Sequence, residues 1–546
     1  MQRTRRTALA LSALALAIGQ AVQADELRQV TVEGSATTDP NQATVIPGET
    51  AGAPKVDGGE FLREVTGVSG SRMSQHGIDP IIRGQQQTRL NVLLDGAYIH
   101  GGCPNRMDPP SSFAVLESYD EVKVLKGVQT VRFGGGGSGG TVLFERNTAE
   151  RAQTPGIQGE VSAGASTNGL DYAVGGDVIA SGEKAYLRAF GETKDASNYE
   201  DGDGNEVGSS FESKSGGVIA GFRPGAGQVL ELGVEASRVD DARYAGAGMD
   251  GIYDDADTYR AKYRNEALEG FIDGLEAEAY LTEVDHLMDN FSLRPAGMMK
   301  METPTESDTT GGRITLTSDT LAGWSIDYGI DVQNRERTAS AQMPNGMIAA
   351  SIWPDAEIDQ TGVFAEGEKA IAEGRTLKLG LRHDWVEASM DDSLPKSLDN
   401  VKDEEESNLG GLVRLEQELG DGKVFAGLSR SVRTADATER FVNKGTWQGD
   451  PELDPETHHQ VDLGIEQSHA NVAWSGVVFY DDVSDYIVDP RNVSGQNVYR
   501  NVDARLLGFE LDATAALSPQ LTLGTSLAYV QGRNTSDDTD LAEIPP

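Results

Sequence analysis

The stretch WSIDYGIDVQ, residues Trp324 to Gln333, alternates apolar and polar side chains with only Gly329 neutral to the pattern. Successive side chains of a β-strand point to opposite faces, so this stretch predicts a strand with one apolar and one polar face. Similar stretches, such as Leu230 to Ser237, recur from Gly159 to the end of the chain. Polar residues at every second position suit a transmembrane β-barrel with a wet lumen and a lipid-facing wall.

The number of such segments bears on whether the barrel is complete. We count about seventeen of them between residues 159 and 546, whereas bacterial single-chain barrels have even strand numbers. The chain also stops at Leu541–Pro546, which resembles a turn more than a closing strand. An open barrel would leave unpaired backbone groups in lipid, so we expect a sequence truncated at its C-terminus. A secreted β-helix or propeller is the alternative, but no fixed repeat period supports it.

The N-terminus and the charge indicate export and exclude some partners. Three arginines, an apolar run from Ala8 to Ile18 and a small-residue exit near Ala24 predict a secretory signal peptide over residues 1–24. No later segment approaches the roughly 20 apolar residues of a spanning helix. With 46 Lys and Arg against 87 Asp and Glu, the net charge of −41 argues against nucleic acid as a partner.

Two further regions precede the barrel. Residues 25–57 are polar and interrupted by prolines, which predicts a flexible segment. It contains one short β-prone patch that could pair with the edge of a partner's sheet, formed by Gln29, Val30, Thr31, Val32 and Glu33. Residues 58–148 are mixed and compact, with predicted strands at 89–96 and 119–127. Their glycine run lacks the Lys-Ser/Thr pair and the following helix of a phosphate-binding loop.

The loop Gly101–Pro110 holds the only cysteine of the chain. Glycines before Cys103 and prolines around Met107 predict a tight, rigid loop. A thiolate and a thioether on one loop form half of a soft-metal site, and soft sulfur ligands favour Cu(I). The alternative is a small buried thiol beside a gap-filling methionine.

The order of signal peptide, β patch, mixed domain and many-stranded barrel resembles the TonB-dependent outer-membrane receptors. The motifs that carry the resemblance are Ile82-Arg83-Gly84, Leu93-Leu94-Asp95-Gly96, Val122–Gly127, Phe133-Gly134, Gly139-Gly140, Leu453–Glu456 with Gln460–Gly464, and Asn501–Ala504 with Leu507–Glu510. The resemblance implies an α+β plug domain (58–148) inside the lumen of a barrel of about 22 antiparallel strands, of which about 17 are present in residues 159–546.

The same resemblance implies a function without catalysis. It implies a monomeric outer-membrane transporter surrounded by lipid and lipopolysaccharide, not an enzyme. It also implies energy supplied by TonB and its inner-membrane complex, with Gln29–Glu33 as the TonB box. No Ser-His-Asp arrangement in the sequence argues for an enzyme instead.

Within the family, Cys103–Pro110 resembles the plug loop of copper receptors of the OprC/NosA type, which pair a plug Cys-x-x-x-Met with a barrel His-x-Met. His286 and Met288 match the second pair. The resemblance implies a copper site of Cys103, Met107, His286 and Met288, holding Cu(I), and import of copper. Residue spacing agrees, because two-residue spacing places His286 and Met288 on one strand face, and three sulfurs with one imidazole suit Cu(I).

Other residues leave alternatives open. Met298, Met299 and Met301 follow this strand and could capture Cu(I) on the outer loop, although loop packing explains them equally well. The neighbours His458 and His459 point to opposite strand faces, so no shared metal is expected. A siderophore or haem receptor, or a surface copper-binding protein without transport, remains an alternative function; the energy-coupling patch argues against the last of these.

Overall fold

The computed structural model describes residues 39–47, 54–399, 401–493, 495–542 and 544. The predicted signal peptide and the patch Gln29–Glu33 lie outside the described residues. Within the described part of the chain, no helix has the length and apolar character needed to cross a membrane.

The N-terminal domain is a small mixed sheet with short helices. Its elements are β1 (Gln42–Val45), α1 (Gly58–Leu62), β2 (Val68–Ser71), β3 (Asp79–Ile82), β4 (Gln85–Gln86), β5 (Leu90–Leu94), β6 (Ala97–Tyr98), β7 (Glu121–Lys126), β8 (Gly140–Glu145) and α2 (Thr148–Arg151), with 3-10 turns at Gln87–Arg89, Pro110–Phe113 and Leu116–Ser118. The main sheet has the order β1-β7-β8-β5-β6, and β2-β3-β4 form a second sheet. Strand β5 is buried along its whole length, because it pairs with β8 in parallel and lies inside the domain.

Strand β1 lies in the segment that the sequence predicts to be flexible. Its residues Gln42 to Val45 pair with Leu125 to Val122 of β7, which adds an edge strand to the plug sheet. Just before it, Asn41 is buried, and its side-chain oxygen accepts a hydrogen bond of 2.7 Å from Arg83 Nη2. The prediction of a flexible segment is therefore wrong for these residues. Four residues are too few to show the alternation of a strand in the sequence, and β1 is stabilised by its pairing with β7.

The rest of the chain forms one large antiparallel sheet that curls around this domain. Its seventeen long strands in the described residues are β9 (Gly156–Gly164), β10 (Leu170–Ser181), β11 (Ala185–Ala196), β14 (Phe211–Phe222), β15 (Gln228–Ala242), β16 (Asp250–Asn265), β17 (Gly274–Asp289), β18 (Glu302–Leu321), β19 (Trp324–Gln342), β20 (Ile348–Ala372), β21 (Arg375–Ser389), β22 (Glu404–Leu419), β23 (Gly422–Arg433), β26 (Glu456–His469), β27 (Val472–Val488), β28 (Arg500–Ser518) and β29 (Leu521–Asn534).

Short elements decorate the loops of this sheet: β12 (Tyr199–Glu200), β13 (Glu206–Val207), α3 (Ala437–Phe441), β24 (Asn443–Lys444), β25 (Trp447–Gln448), a 3-10 turn at Pro490–Asn492 and β30 (Thr539–Asp540). Among the described residues, no hydrogen-bonded register joins β9 directly to β29, although each pairs with its other neighbour.

The alternation within β19 has the predicted orientation. Ile330 and Val332 are exposed on the outer wall, whereas Arg335 and Arg337, farther along the strand, are buried against the interior. The predicted transmembrane β-barrel with an internal plug is therefore the architecture of the chain, and its polar interior positions charged groups against the plug.

Buried ion pairs fasten the plug to the barrel wall. Arg83 binds Glu510 through Nε at 3.0 Å and Asp462 through Nη1 at 2.9 Å, while Lys126 Nζ lies 2.6 Å from the same Glu510. All four side chains are almost completely buried. A buried charge without a partner is strongly destabilising, so removing one member of this cluster would weaken the attachment of the plug to the barrel.

A second anchor surrounds Asp95 at the end of β5. Its carboxylate lies 2.7 Å from Lys262 Nζ, with Arg260 at 3.8 Å and Arg146 at 3.7 Å. Burial opposes ionisation of Asp95, but these cations outweigh it and lower the pKa of the carboxyl to about 2.

Candidate metal centre

The plug loop that carries Cys103 is shaped by two close backbone contacts. A Cβ atom on Gly102 would lie 2.7 Å from the Cβ of His286 and 3.1 Å from Thr305 Oγ1, so only glycine allows this approach to β17 and β18. The backbone N–H of Cys103 donates to both carboxylate oxygens of Asp108 at 3.0 Å. Asp108 therefore closes the loop on itself and fixes the direction of the cysteine.

The barrel side of the site comes from the outer half of β17. His286 and Met288 are separated by one residue and both face inward, with 2% and 4% of their surfaces exposed. Val284 and Thr282 precede them on the same buried face, which confirms the alternation predicted for this strand.

The four sequence-predicted ligands meet at one place. Cys103 Sγ lies 3.8 Å from Met288 Sδ, although the two residues are 185 positions apart in the chain. Cys103, Met107 and Met288 belong to one buried cluster that also contains Phe211 and Tyr244. His286 lies beside it, against Gly102. Sulfur ligands suit a soft monovalent cation better than a hard divalent one.

Two carboxylates, which the sequence reasoning did not single out, face His286. Asp254 Oδ1 lies 3.6 Å and Asp108 Oδ2 lies 3.9 Å from His286 Nδ1. Ligand atoms of these three buried residues all lie within 4.8 Å of one another. Both ring nitrogens of His286 and Asp254 Oδ1 have no hydrogen-bond partner among the described residues.

This arrangement resembles the way that proteins orient a metal-binding imidazole. A ligating histidine usually directs its second ring nitrogen to a carboxylate, which selects the tautomer and holds the ring. Burial and the nearby Asp254 carboxylate raise the pKa of the Asp108 carboxyl above its ordinary value. Asp254 can be identified only from the structure, because it lies directly opposite His286 in the β16–β17 register and the sequence does not reveal this register.

The remaining methionines and histidines lie elsewhere. Met298 and Met299 are exposed on the loop after β17, whereas Met301 is partly buried against a separate apolar cluster. His100 stacks on Tyr98 with ring centroids 6.2 Å apart. His458 is buried and His459 exposed, as expected for neighbours on a strand.

A narrow cavity of about 40 Å³ reaches the cysteine from the side of α3. Cys103, Asn105 and Asp108 line it from the plug, and Trp353 and Arg337 line it from the barrel. Arg491 Nη1 donates to Asn105 Oδ1 at 2.6 Å, so an outer loop touches the tip of the plug loop. Cys103 is thus buried from solvent but lines this cavity.

Family models match most of the chain. The model described as "TonB dependent receptor-like, beta-barrel" matches residues 190–546, and the model "TonB-dependent Receptor Plug Domain" matches residues 35–141. A comparison with curated proteins finds no match.

Solved structures with the same fold include two metal transporters and a hemophore receptor. A structure described as the copper transporter OprC is 30% identical, with a TM-score of 0.85, covering 94% of this chain and 82% of the other. The FrpB iron transporter from Neisseria meningitidis is 18% identical, with a TM-score of 0.73 and coverages of 92% and 82%. The Serratia marcescens hemophore receptor HasR is 17% identical, with a TM-score of 0.72 and coverages of 91% and 82%; these last two likenesses concern the fold alone.

Proposed function

The chain belongs to the TonB-dependent receptors, and from this premise we propose that it binds copper at the plug–barrel interface and imports it into the periplasm. Members of this family are outer-membrane β-barrels that work with TonB and are not enzymes. The substrate is the part that is proposed, because solved structures with this fold include a copper transporter, an iron transporter and a hemophore receptor.

The contact between Cys103 Sγ and Met288 Sδ at 3.8 Å carries the proposal. It joins a plug loop to the barrel wall, with Met107 in the same buried cluster and His286 beside it. Three sulfurs and one imidazole form a donor set that selects Cu(I) over hard cations. The relative with 30% identity is described as a copper transporter, which supports the same substrate for this chain.

A siderophore or haem chelate is the main alternative substrate. An organic chelate is bound from outside by polar and aromatic groups, and it has no need of a buried thiol. The space beside Cys103 is only about 40 Å³, which favours a bare ion over a chelate in this structure.

Metal analysis of the purified protein tests the site. Wild-type protein loaded with copper under reducing conditions should retain it stoichiometrically after desalting, and Cys103→Ala and Met107→Ala should lose most of it. Met347→Ala, on an exposed hairpin, is the matched control and should retain copper. Copper-free wild-type protein, or equal copper content in all variants, would contradict the assignment.

Uptake is a separate part of the proposal. We propose that residues 1–24 direct export, that Gln29–Glu33 form the TonB box, and that the receptor works as a monomer among outer-membrane lipid and lipopolysaccharide. Deletion of Gln29–Glu33 should abolish copper accumulation by cells while leaving copper binding by the purified protein intact. Accumulation that persists after the deletion would argue for a copper-binding protein without energy-coupled transport.

The exposed methionines extend the proposal to the outer surface. Met298 and Met299 are thioethers without burial on the loop that follows β17, and they could collect Cu(I) before it reaches the buried site. Replacing both by alanine should slow copper loading from dilute solution but leave the copper content at saturation unchanged. Unchanged loading kinetics would leave these residues, like the packed Met301, without a role in capture.

A further inference from the structure

A second cavity, of about 80 Å³, lies between the plug and strands β17 to β23. His100 and Arg106 line it from the plug, and they flank Cys103 in sequence. The charged residues of its lining are Arg106, Arg313, Arg335, Arg433, Asp79, Glu278 and Asp331. Four of these side chains are cationic and three are anionic, so whether each arginine has a partner decides the charge of the cavity.

All arginines of the lining except Arg335 are paired with carboxylates. Arg106 lies 3.0 Å from Asp79, Arg313 pairs with Glu278, and Arg433 lies 2.8 Å from both Glu439 and Glu456. Asp331 is bound by Arg382 at 2.6 Å. Arg335 has no ion pair within 4.0 Å among the described residues and is only 7% exposed. The carboxylate whose charge acts on it, Asp436, is bound by Arg337 at 2.9 Å.

The unpaired donors of Arg335 form one edge of its guanidinium group. Both Nε and Nη2 are buried without a hydrogen-bond partner among the described residues. In Arg188 the same edge holds a carboxylate, since Nε and Nη2 donate to the two oxygens of Asp177 at 2.9 Å each. This fork matches a pair of oxygens on one central atom, the geometry of a carboxylate or a small oxyanion.

We propose that this cavity binds a small oxyanion whose two oxygens accept hydrogen bonds from Nε and Nη2 of Arg335. Buried charges in proteins are normally paired, and the bound anion supplies the direct partner that Arg335 lacks among the described residues. His100 Nε2, a further buried atom without a partner, belongs to the same lining. The anion therefore links β19 of the barrel to the plug loop that carries Cys103 and Met107.

Anion titration of the metal-free wild-type protein tests the proposal. Formate, bicarbonate and inorganic phosphate are each titrated by calorimetry, with chloride as an anion that lacks paired oxygens. We expect at least one of the three oxyanions to bind more tightly than chloride. Arg335→Gln should weaken this binding at least about tenfold, because it removes the charge and the fork. Arg505→Gln, which removes an exposed arginine on the outer wall, should leave it unchanged.

Two further measurements keep the proposal open to refutation if Arg335→Gln does not fold. Arg335→Lys keeps the charge but loses the fork, so oxyanion affinity should fall while any chloride affinity remains. A crystal of wild-type protein soaked in formate should place both formate oxygens against Nε and Nη2. Ordered water alone at that edge, equal affinity for chloride and oxyanions, or unchanged binding in Arg335→Gln would overturn the inference.

Discussion

Replacement of Gly102 by alanine is expected to move the plug loop away from β17 and to weaken copper binding without unfolding the protein. The added methyl group would lie 2.7 Å from the Cβ of His286, and carbon atoms normally approach no closer than about 3.5 Å. The loop must therefore retreat by about 0.8 Å, whereas metal–ligand distances tolerate changes of only about 0.2 Å. The backbone of Gly102 does not require a positive φ, so steric contact alone explains the effect.

Competition with a chromophoric Cu(I) chelator measures the expected loss. Displacement of Cys103 from the barrel ligands should lower the affinity for Cu(I) about 10- to 100-fold, the usual cost of disturbing the support of a metal ligand. Gly248→Ala is the matched control, because a Cβ at that exposed glycine meets nothing within 4 Å. Wild-type affinity in Gly102→Ala, or an equal loss in Gly248→Ala, would refute the reasoning.

Three other changes test the surrounding charges. Asp254→Asn should lower Cu(I) affinity about tenfold, because it removes the negative charge that faces His286 Nδ1 at 3.6 Å. Asp255→Asn on the opposite strand face should leave the affinity unchanged, and equal affinities of the two variants in chelator competition would contradict this. Glu510→Gln should destabilise the plug by about 3 kcal/mol, seen as faster hydrogen exchange in β7, while the exposed Asp482→Asn should have little effect. The pKa of Asp95 falls from 3.8 to about 2 on folding, so the ionised carboxylate adds about 2 kcal/mol to the free energy of unfolding. This stabilisation is complete above roughly pH 4 and is lost as the pH falls through about 2. In Asp95→Asn, the hydrogen exchange of the plug should no longer depend on pH in this range.

The barrel was predictable from sequence because its signal is local. Alternation in Trp324–Gln333 needs only the pleat of one strand, and the same pattern recurs along most of the chain. The identification of the plug and the family, which the family models confirm, relied on short motifs such as Ile82-Arg83-Gly84. Strand β1 was missed because four residues carry too little pattern, and its order comes from pairing with β7.

The candidate site was only partly predictable. Cys103 and Met107 share a loop, and His286 and Met288 share a strand face, so each pair could be recognised locally. That the two pairs form one site across the plug–barrel interface was predicted only from the family resemblance, and the assignment of copper remains a prediction. Asp254 was not predictable, because inward-facing acids are abundant and the β16–β17 register that places it opposite His286 is not visible in the sequence.

Asn41 couples strand β1 to the ion pairs that fasten the plug to the barrel. It immediately precedes β1, its backbone carbonyl accepts a hydrogen bond from Lys126 N at 2.7 Å, and its side chain binds Arg83. Arg83 and Lys126 are the two plug cations held by Glu510. A pull on the chain from the N-terminal side therefore loads the ion pairs of Asp39 with Arg414 and Lys423 first. It then loads the contacts of Asn41 and afterwards peels β1 from β7 one hydrogen bond after another. Force would reach the attachment of the plug before it reached the apolar core.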